Sequence, residues 1–106
     1  MRWVVIILPA AEPELEALPT DMQAKFQRLV TLIENHGLQQ LREPYAKHLE
    51  GKLWELRMSG RDGISRAIYM TAQVQRVVIL RVFVKKTEKT PRREIALALQ
   101  RAKEVR

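Results

Sequence analysis

The stretch from Lys47 to Pro91, KHLEGKLWELRMSGRDGISRAIYMTAQVQRVVILRVFVKKTEKTP, decides the fold. It reads as three consecutive β-strands followed by a helix start. The first is Leu53-Trp54-Glu55-Leu56-Arg57, the second runs from about Ile64 to Thr71, and the third from about Val77 to Lys85, each bounded by turn-type residues. Between the first two, Ser59-Gly60-Arg61-Asp62-Gly63 supplies the glycines and aspartate of a hairpin turn. The next turn, around Ala72-Gln73-Val74-Gln75, is less distinctive.

Residues two apart on a strand share a face. In the third strand Val78, Leu80, Val82 and Val84 then form an apolar face, and Val77, Ile79, Arg81, Phe83 and Lys85 a mixed one. The first strand places Leu53, Glu55 and Arg57 together, and the second Ile64, Arg66, Ile68 and Met70. An unpaired arginine in a dry core costs several kcal/mol. Arg57, Arg66 and Arg81 are therefore expected to converge on a partly open face, with a solvated face or pairing to Glu55 as the alternative.

The cationic surplus follows the sheet. Residues 1 to 46 hold four Lys/Arg and six Asp/Glu (−2), residues 47 to 106 hold fifteen and six (+9), and together they make the net +7. Charge of this sign and concentration attracts phosphate or an acidic protein surface. With 106 residues and no cysteine, a single domain over residues 1–106 is expected, held by neither disulfides nor a thiolate metal site. His36 and His48 lack ligand neighbours at metal-binding spacing, so no metal or other cofactor is expected. The six-residue apolar run WVVIIL, ended by Pro9, is too short for a signal-peptide core or a membrane span. The expected location is cytoplasmic.

Upstream, Arg2 to Leu8 reads as a strand buried on much of both faces. Glu12 to Leu18 suits a short helix, and Pro19 breaks it. Thr20 and Gln23 have capping-box spacing, and Met22, Phe26, Leu29, Val30 and Ile33 recur at helical spacing up to Gly37. These two helices form a hairpin that packs on the sheet. Gly37 to Gly51 is irregular, with Leu38, Leu41, Tyr45 and Leu49 as anchors over the core. Downstream, Thr90 is the expected N-cap and Pro91 the first residue of a helix with a stripe of Ile95, Ala98, Leu99, Ala102 and Val105. The fold class is α+β: a small, mostly antiparallel sheet in the order β-α-α-β-β-β-α.

That layout, with LWELR, a Gly turn, GISRAIY, and VVILRVFVKKTEKTP leading into EIALALQRAKE, resembles the RelE/ParE toxin superfamily in its HigB-like, phage-derived branch. The resemblance covers nearly the whole chain and is strongest from Leu49 to Glu94. It implies the toxin of a type II toxin–antitoxin pair, a small ribonuclease that cleaves mRNA, usually on the ribosome, and is silenced by a helix-turn-helix antitoxin. By position it carries roles onto Arg57, Arg66 and Tyr69, and onto the basic pair Lys85 and Lys86. The C-terminal Tyr or His that some members place near the scissile phosphate is missing, because the last residues form a charged helix.

Cleavage by the RNA's own 2′-OH requires proton removal, in-line geometry and stabilisation of charge on the phosphorane. Arginine forks and lysines meet the last two requirements without a metal. Arg57, Arg66, Arg81, Glu55 and Tyr69 are the catalytic candidates. Lys47, His48, Lys52, Lys85, Lys86 and Lys89 are the RNA-binding ones. For the base, Glu55 shares a face with Arg57, although counter-charge is an equal role for it. Lys52 or Lys86 is a second option, and His48 titrates by type near neutrality, although a lone loop histidine is more often incidental. Tyr69 either stacks on a base, donates to a phosphate or is a half-buried sheet aromatic, and Trp54 belongs to the core. Gyrase inhibition of the ParE kind, or a non-enzymatic RNA- or ribosome-binding role, stays open beside cleavage.

Overall fold

The computed structural model describes residues 2–41, 45–73, 75–85 and 89–105. In chain order, strand β1 (Val4–Ile7) leads through a 3-10 turn (Pro9–Ala11) into helices α1 (Glu12–Glu16) and α2 (Thr20–His36). A second 3-10 turn (Leu38–Gln40) precedes strands β2 (Ala46–Glu50), β3 (Leu53–Gly60), β4 (Gly63–Ala72) and β5 (Arg76–Lys85), and helix α3 (Arg92–Ala102) follows. The sheet order is β1-β5-β4-β3-β2, with β1 parallel to β5 and every other pair antiparallel. The expected α+β architecture is present, extended by one strand.

That strand is β2, which lies within the segment expected to be irregular. It is a short edge strand whose pairing to β3 shifts register between His48 and Glu50, so no clean alternation marks it in the sequence. β1 also departs from expectation. It is the opposite edge: Val4 is 49% exposed and Ile6 is exposed as well, while Val5 and Ile7 pack inward.

Helices cover both faces of the sheet. On one, the α2 residues Met22, Phe26, Leu29, Val30 and Ile33 pack against Leu56, Met58, Ala67, Tyr69, Val77, Ile79 and Val82. On the other, Ile95, Ala98 and Ala102 of α3 cover Leu53, Ile68, Met70, Val78, Leu80 and Phe83. A bulge in β5 sets this division. The register passes from Tyr69↔Ile79 to Ile68↔Arg81, which leaves Leu80 as the extra residue. An extra residue reverses the parity of the strand beyond it. Val78 and Leu80 therefore lie with Phe83, and Val77 and Ile79 with Val82, where unbroken alternation groups them the other way.

Both anticipated caps are replaced. Pro19 and Pro91 occupy the N-cap positions of α2 and α3, with no side-chain cap bond. Instead, the Gln23 amide donates to the carbonyls of Glu16 (3.1 Å) and Leu18 (2.8 Å), clamping the α1–α2 turn. Thr90 spends its hydroxyl elsewhere.

The β3–β4 hairpin is seated on the first turn of α2. Asp21 Oδ2 accepts the Arg61 backbone N–H at 2.6 Å. At Gly60 a Cβ would stand 2.7 Å from Asp21 Oδ2 and 2.8 Å from Met22 Cγ. Met22 is buried and cannot retreat freely. Gly60→Ala is accordingly expected to destabilise the fold by about 1–3 kcal/mol, the usual range for overpacking, read as a lower urea midpoint. An unchanged midpoint would contradict the close seating of the hairpin on α2.

Candidate functional site

Arg57 of β3 and Arg66 of β4 stand directly opposite one another in the ladder. Like charges in that position repel, and alternation supplies the remedy, because Glu55 is two residues from Arg57 on the same face. Its carboxylate accepts from Arg57 Nε at 3.1 Å and lies 2.8 Å from Arg66 Nη1 through Oε2, while Oε1 accepts from Arg66 Nη1 at 3.1 Å and from the Thr90 hydroxyl at 2.6 Å. Arg66 Nη1 also donates to Thr90 Oγ1. Thr90 thereby ties the approach to α3 onto the strand pair.

Glu55 is 0% exposed and Arg66 2% exposed. The carboxylate lies beneath the guanidiniums with donors on both oxygens, so it positions arginines and does not reach a substrate hydroxyl. Two guanidiniums thus share one carboxylate. Arg57 is the more open of the pair, with its side chain 23% exposed. It commits only Nε to Glu55, and its terminal nitrogens have no partner among the described residues.

Two clefts open on this cluster. One, of about 170 Å³, is bounded by Tyr45, Arg57, Ser59, Ile64, Arg66 and Lys85. The other, of about 200 Å³, lies between Lys47, His48 and Leu49 on one side and Lys89, Thr90 and Ile95 on the other, over Glu55 and Arg66. Arg66 is common to both. Beside them a groove of about 900 Å³ runs between β5 and the start of α3, with Arg81 and Phe83 below and Lys89, Arg92 and Arg93 along it. Among the described residues, no three His, Cys, Asp or Glu side chains are placed to hold a metal ion.

The remaining candidates divide by face and by partner. Lys47, Lys85 and Lys89 border the clefts. Lys86 lies outside the described residues. Lys52 is exposed in the β2–β3 turn and lines neither cleft. His48 borders one cleft, but its ring packs edge-on against Trp54 (centroids 4.9 Å apart) and its Nε2 donates to the Gly51 carbonyl at 2.7 Å. That nitrogen is therefore a donor and not a base. Trp54, on the interior strand β3, is itself exposed and not core.

Tyr69 is corrected most plainly, because it belongs to the α2-side core, on the face opposite Arg66. Burial pushes its hydroxyl up to about 12. Neither stacking nor proton transfer at the arginines is open to it.

Arg81 lies on the α3 side with Phe83, but it belongs to a second cluster. It binds Glu94 (Nε to Oε1, 2.6 Å) and Glu14 (Nη1 to Oε2, 2.5 Å), and Ile68 stands between it and Glu55 in the register. Glu14 also accepts both Arg101 terminal nitrogens (2.9 and 2.8 Å) and the Val82 N–H (3.1 Å). The three arginines therefore do not converge. Glu14, Thr90 and the exposed Tyr45 were not legible as site residues; their partners lie far away in sequence, and no local motif announces them.

The family comparison agrees with this architecture. Residues 13–103 match the family described as phage derived protein Gp49-like (DUF891). The chain belongs to that family, within the RelE/ParE-like toxin superfamily. Among solved structures, it resembles a doubly substituted E. coli toxin RelE in the free state, with TM-score 0.65 and 14% identity over 95% of this chain and 98% of that one. It also resembles the archaeal RelE–RelB complex of Pyrococcus horikoshii (TM-score 0.59, 25% identity, 79% and 96% coverage) and the toxin–antitoxin complex RelBE2 of Mycobacterium tuberculosis (0.51, 20%, 80% and 100%). No curated protein matches significantly.

Two outcomes follow from the clusters. Glu55→Ala leaves Arg66 buried without its carboxylate and is expected to cost about 3–5 kcal/mol in urea unfolding; a loss below about 1 kcal/mol would remove Glu55 from its central place. At Glu14, burial pushes the carboxyl up, but the bonds from Arg101, the Val82 N–H and Arg81 together outweigh it and hold the group below its ordinary 4.5. With the folded value depressed, the contribution is complete above the unfolded value and lost as pH falls through the folded one. Wild type should lose more stability than Glu14→Gln between about pH 5 and about pH 3. Parallel acid profiles of the two proteins would contradict this.

Proposed function

We propose that the chain is the toxin of a type II toxin–antitoxin pair, of the HigB-like kind, and that it cleaves mRNA, in association with the ribosome, at the Arg57–Arg66 cluster. The observation that carries this reading is a pair of arginines held by one buried carboxylate at the junction of two clefts bordered by Lys47, Lys85 and Lys89. The alternation, the basic half of the chain and the family membership point the same way.

The reaction is attack of a ribose 2′-OH on the adjacent phosphorus. The 2′ O–P bond forms as the 2′ proton passes to solvent water, the P–O5′ bond breaks as the departing 5′ oxygen takes a proton from water, and a 2′,3′-cyclic phosphate and a 5′-OH result. Arg57 is the best placed to stabilise the added charge on the phosphorane, because it lines the cleft, is partly exposed and commits only Nε to Glu55. Arg66 lies beneath and holds the field positive. The attacking hydroxyl belongs to the substrate and the charge is met by guanidinium, so the route needs no metal.

An exposed cationic face binds RNA indiscriminately in a salt-dependent way, and a covering partner suits it. The groove at the start of α3, lined by Lys89, Arg92 and Arg93, fits an acidic segment of a helix-turn-helix antitoxin. The RelE–RelB and RelBE2 complexes among the similar structures favour a protein partner of this class.

Induced expression with mapping of mRNA 5′ ends tests the reading, and new ends within reading frames are the expected result. Arg57→Ala is expected to reduce cleavage about 10²–10³-fold, as for loss of one oxyanion donor, with the fold retained. Cleavage of a purified RNA fragment should survive excess chelator. Growth inhibition by Arg57→Ala equal to wild type at equal protein level would reject the site, and loss on chelation restored by magnesium would reject the metal-free route.

A further inference from the structure

Tyr45 immediately precedes β2, and its side chain was expected to anchor a loop over the core. The ring is instead 55% exposed, more than any other large hydrophobic side chain among the described residues. Its backbone is fixed, because the Tyr45 carbonyl accepts the Arg57 N–H at 2.9 Å, which places Tyr45 opposite Arg57 on the edge of β3. A fixed backbone bearing an exposed aromatic ring is a platform, because little further ordering is needed to bind against it.

The surroundings of the ring state what it suits. Tyr45, Arg57 and Ser59 are shared between the cleft over Arg66 and a second one, of about 210 Å³, between β3 and the outer face of α2. The second cleft carries Lys25 and Arg28 beside Leu29 and Leu32, and Lys25 Nζ lies 3.3 Å from Ser59 Oγ across its floor. Ile64, 40% exposed, flanks the ring on the Arg66 side, and Leu32, also exposed, on the α2 side. Among the described lining residues of the two clefts are five cations (Lys25, Arg28, Arg57, Arg66 and Lys85) and no carboxylate. A wholly cationic lining with an exposed ring at its centre matches a polyanion that also carries flat faces.

We infer that Tyr45 stacks an unpaired base of single-stranded RNA next to the scissile phosphate, and that the cleft along α2 carries the following phosphate on Lys25 and Arg28. This rests on the cleavage reading for its substrate, but it concerns binding. Aromatic stacking is tolerant of sequence, because every base has a π-face. The platform therefore fixes the strand across the cluster without demanding a particular codon.

The test is the affinity of the full chain for a short single-stranded 2′-O-methyl oligoribonucleotide, which cannot supply the attacking hydroxyl, followed by anisotropy at several salt concentrations. Tyr45→Ala is expected to weaken binding about 5- to 100-fold, and Tyr45→Phe to leave it unchanged. Joint replacement of Lys25 and Arg28 by glutamine should make the log–log salt slope shallower by about 0.7 for each phosphate that is no longer neutralised. Equal affinity of wild type and Tyr45→Ala overturns the inference, as does loss in Tyr45→Phe equal to that in Tyr45→Ala. So does Tyr45→Ala that binds RNA normally but fails to hold the antitoxin, which would make the ring a protein-docking residue. Tyr45-dependent binding by a chain that cleaves no RNA supports the platform and rejects the cleavage reading; cleavage with Tyr45-independent binding does the reverse.

Discussion

Arg57 and Arg66 face one another across β3 and β4, and the sheet exists in this form because the Glu55 carboxylate lies under both. Two opposed guanidiniums repel, and burying one of them unpaired costs several kcal/mol. A single buried carboxylate removes both penalties, and the Thr90 hydroxyl supplies a further donor to it. A hydrophobic substitute would fill the same space as stably. It would not place two guanidiniums beside the clefts, which is what the proposed phosphate-binding role asks for.

The Glu14 cluster repeats this construction and puts it to another use. Glu14 of α1 collects Arg81, Arg101 and the Val82 N–H, while Glu94 of α3 takes the other side of Arg81. Strand β1 pairs with β5 only as far as Ile79, so the Val82 N–H is left at an open edge, and the carboxylate closes it. Helices from opposite faces of the sheet are joined through one strand residue. Here the charges satisfy one another, and the cluster serves the fold; at Glu55 two guanidiniums share one carboxylate, and Arg57 stands partly open to solvent.

Between these two clusters the sheet carries a bulge at Leu80. It allows β5 to keep apolar residues toward both helical layers while turning Arg81 and Phe83 to the α3 side. The cationic groove at the start of α3, the Glu55 cluster and the Tyr45 clefts then form a nearly continuous basic surface across one side and one edge of the sheet. Such continuity suits a chain-like polyanion better than a compact ligand.

Local periodicity carried much of this in advance. The three long strands, the α2 stripe and the α3 stripe are each repeats of two or 3.6 residues, and the Gly60–Gly63 hairpin has its own turn residues, all visible without any partner. So was the shared face of Glu55 and Arg57, since two residues along a strand is enough to establish it. The edge strand β2 was hidden because its shape comes from β3, and the parity change in β5 because a bulge has no marker in a run of valines, isoleucine and leucine. The pairing of Glu14 with Arg101, 87 residues apart, and the diversion of Thr90 from helix cap to Glu55 depend on which segments the closed chain brings together. Exposure of Tyr45 and burial of Tyr69 follow from the same cause. The sequence by itself determined which residues share a helix face or an unbroken strand face, because that is a property of a few neighbouring dihedrals; only the tertiary structure decided where a strand bulges, which charges meet and which aromatic ring faces water, because those are properties of contacts between distant segments.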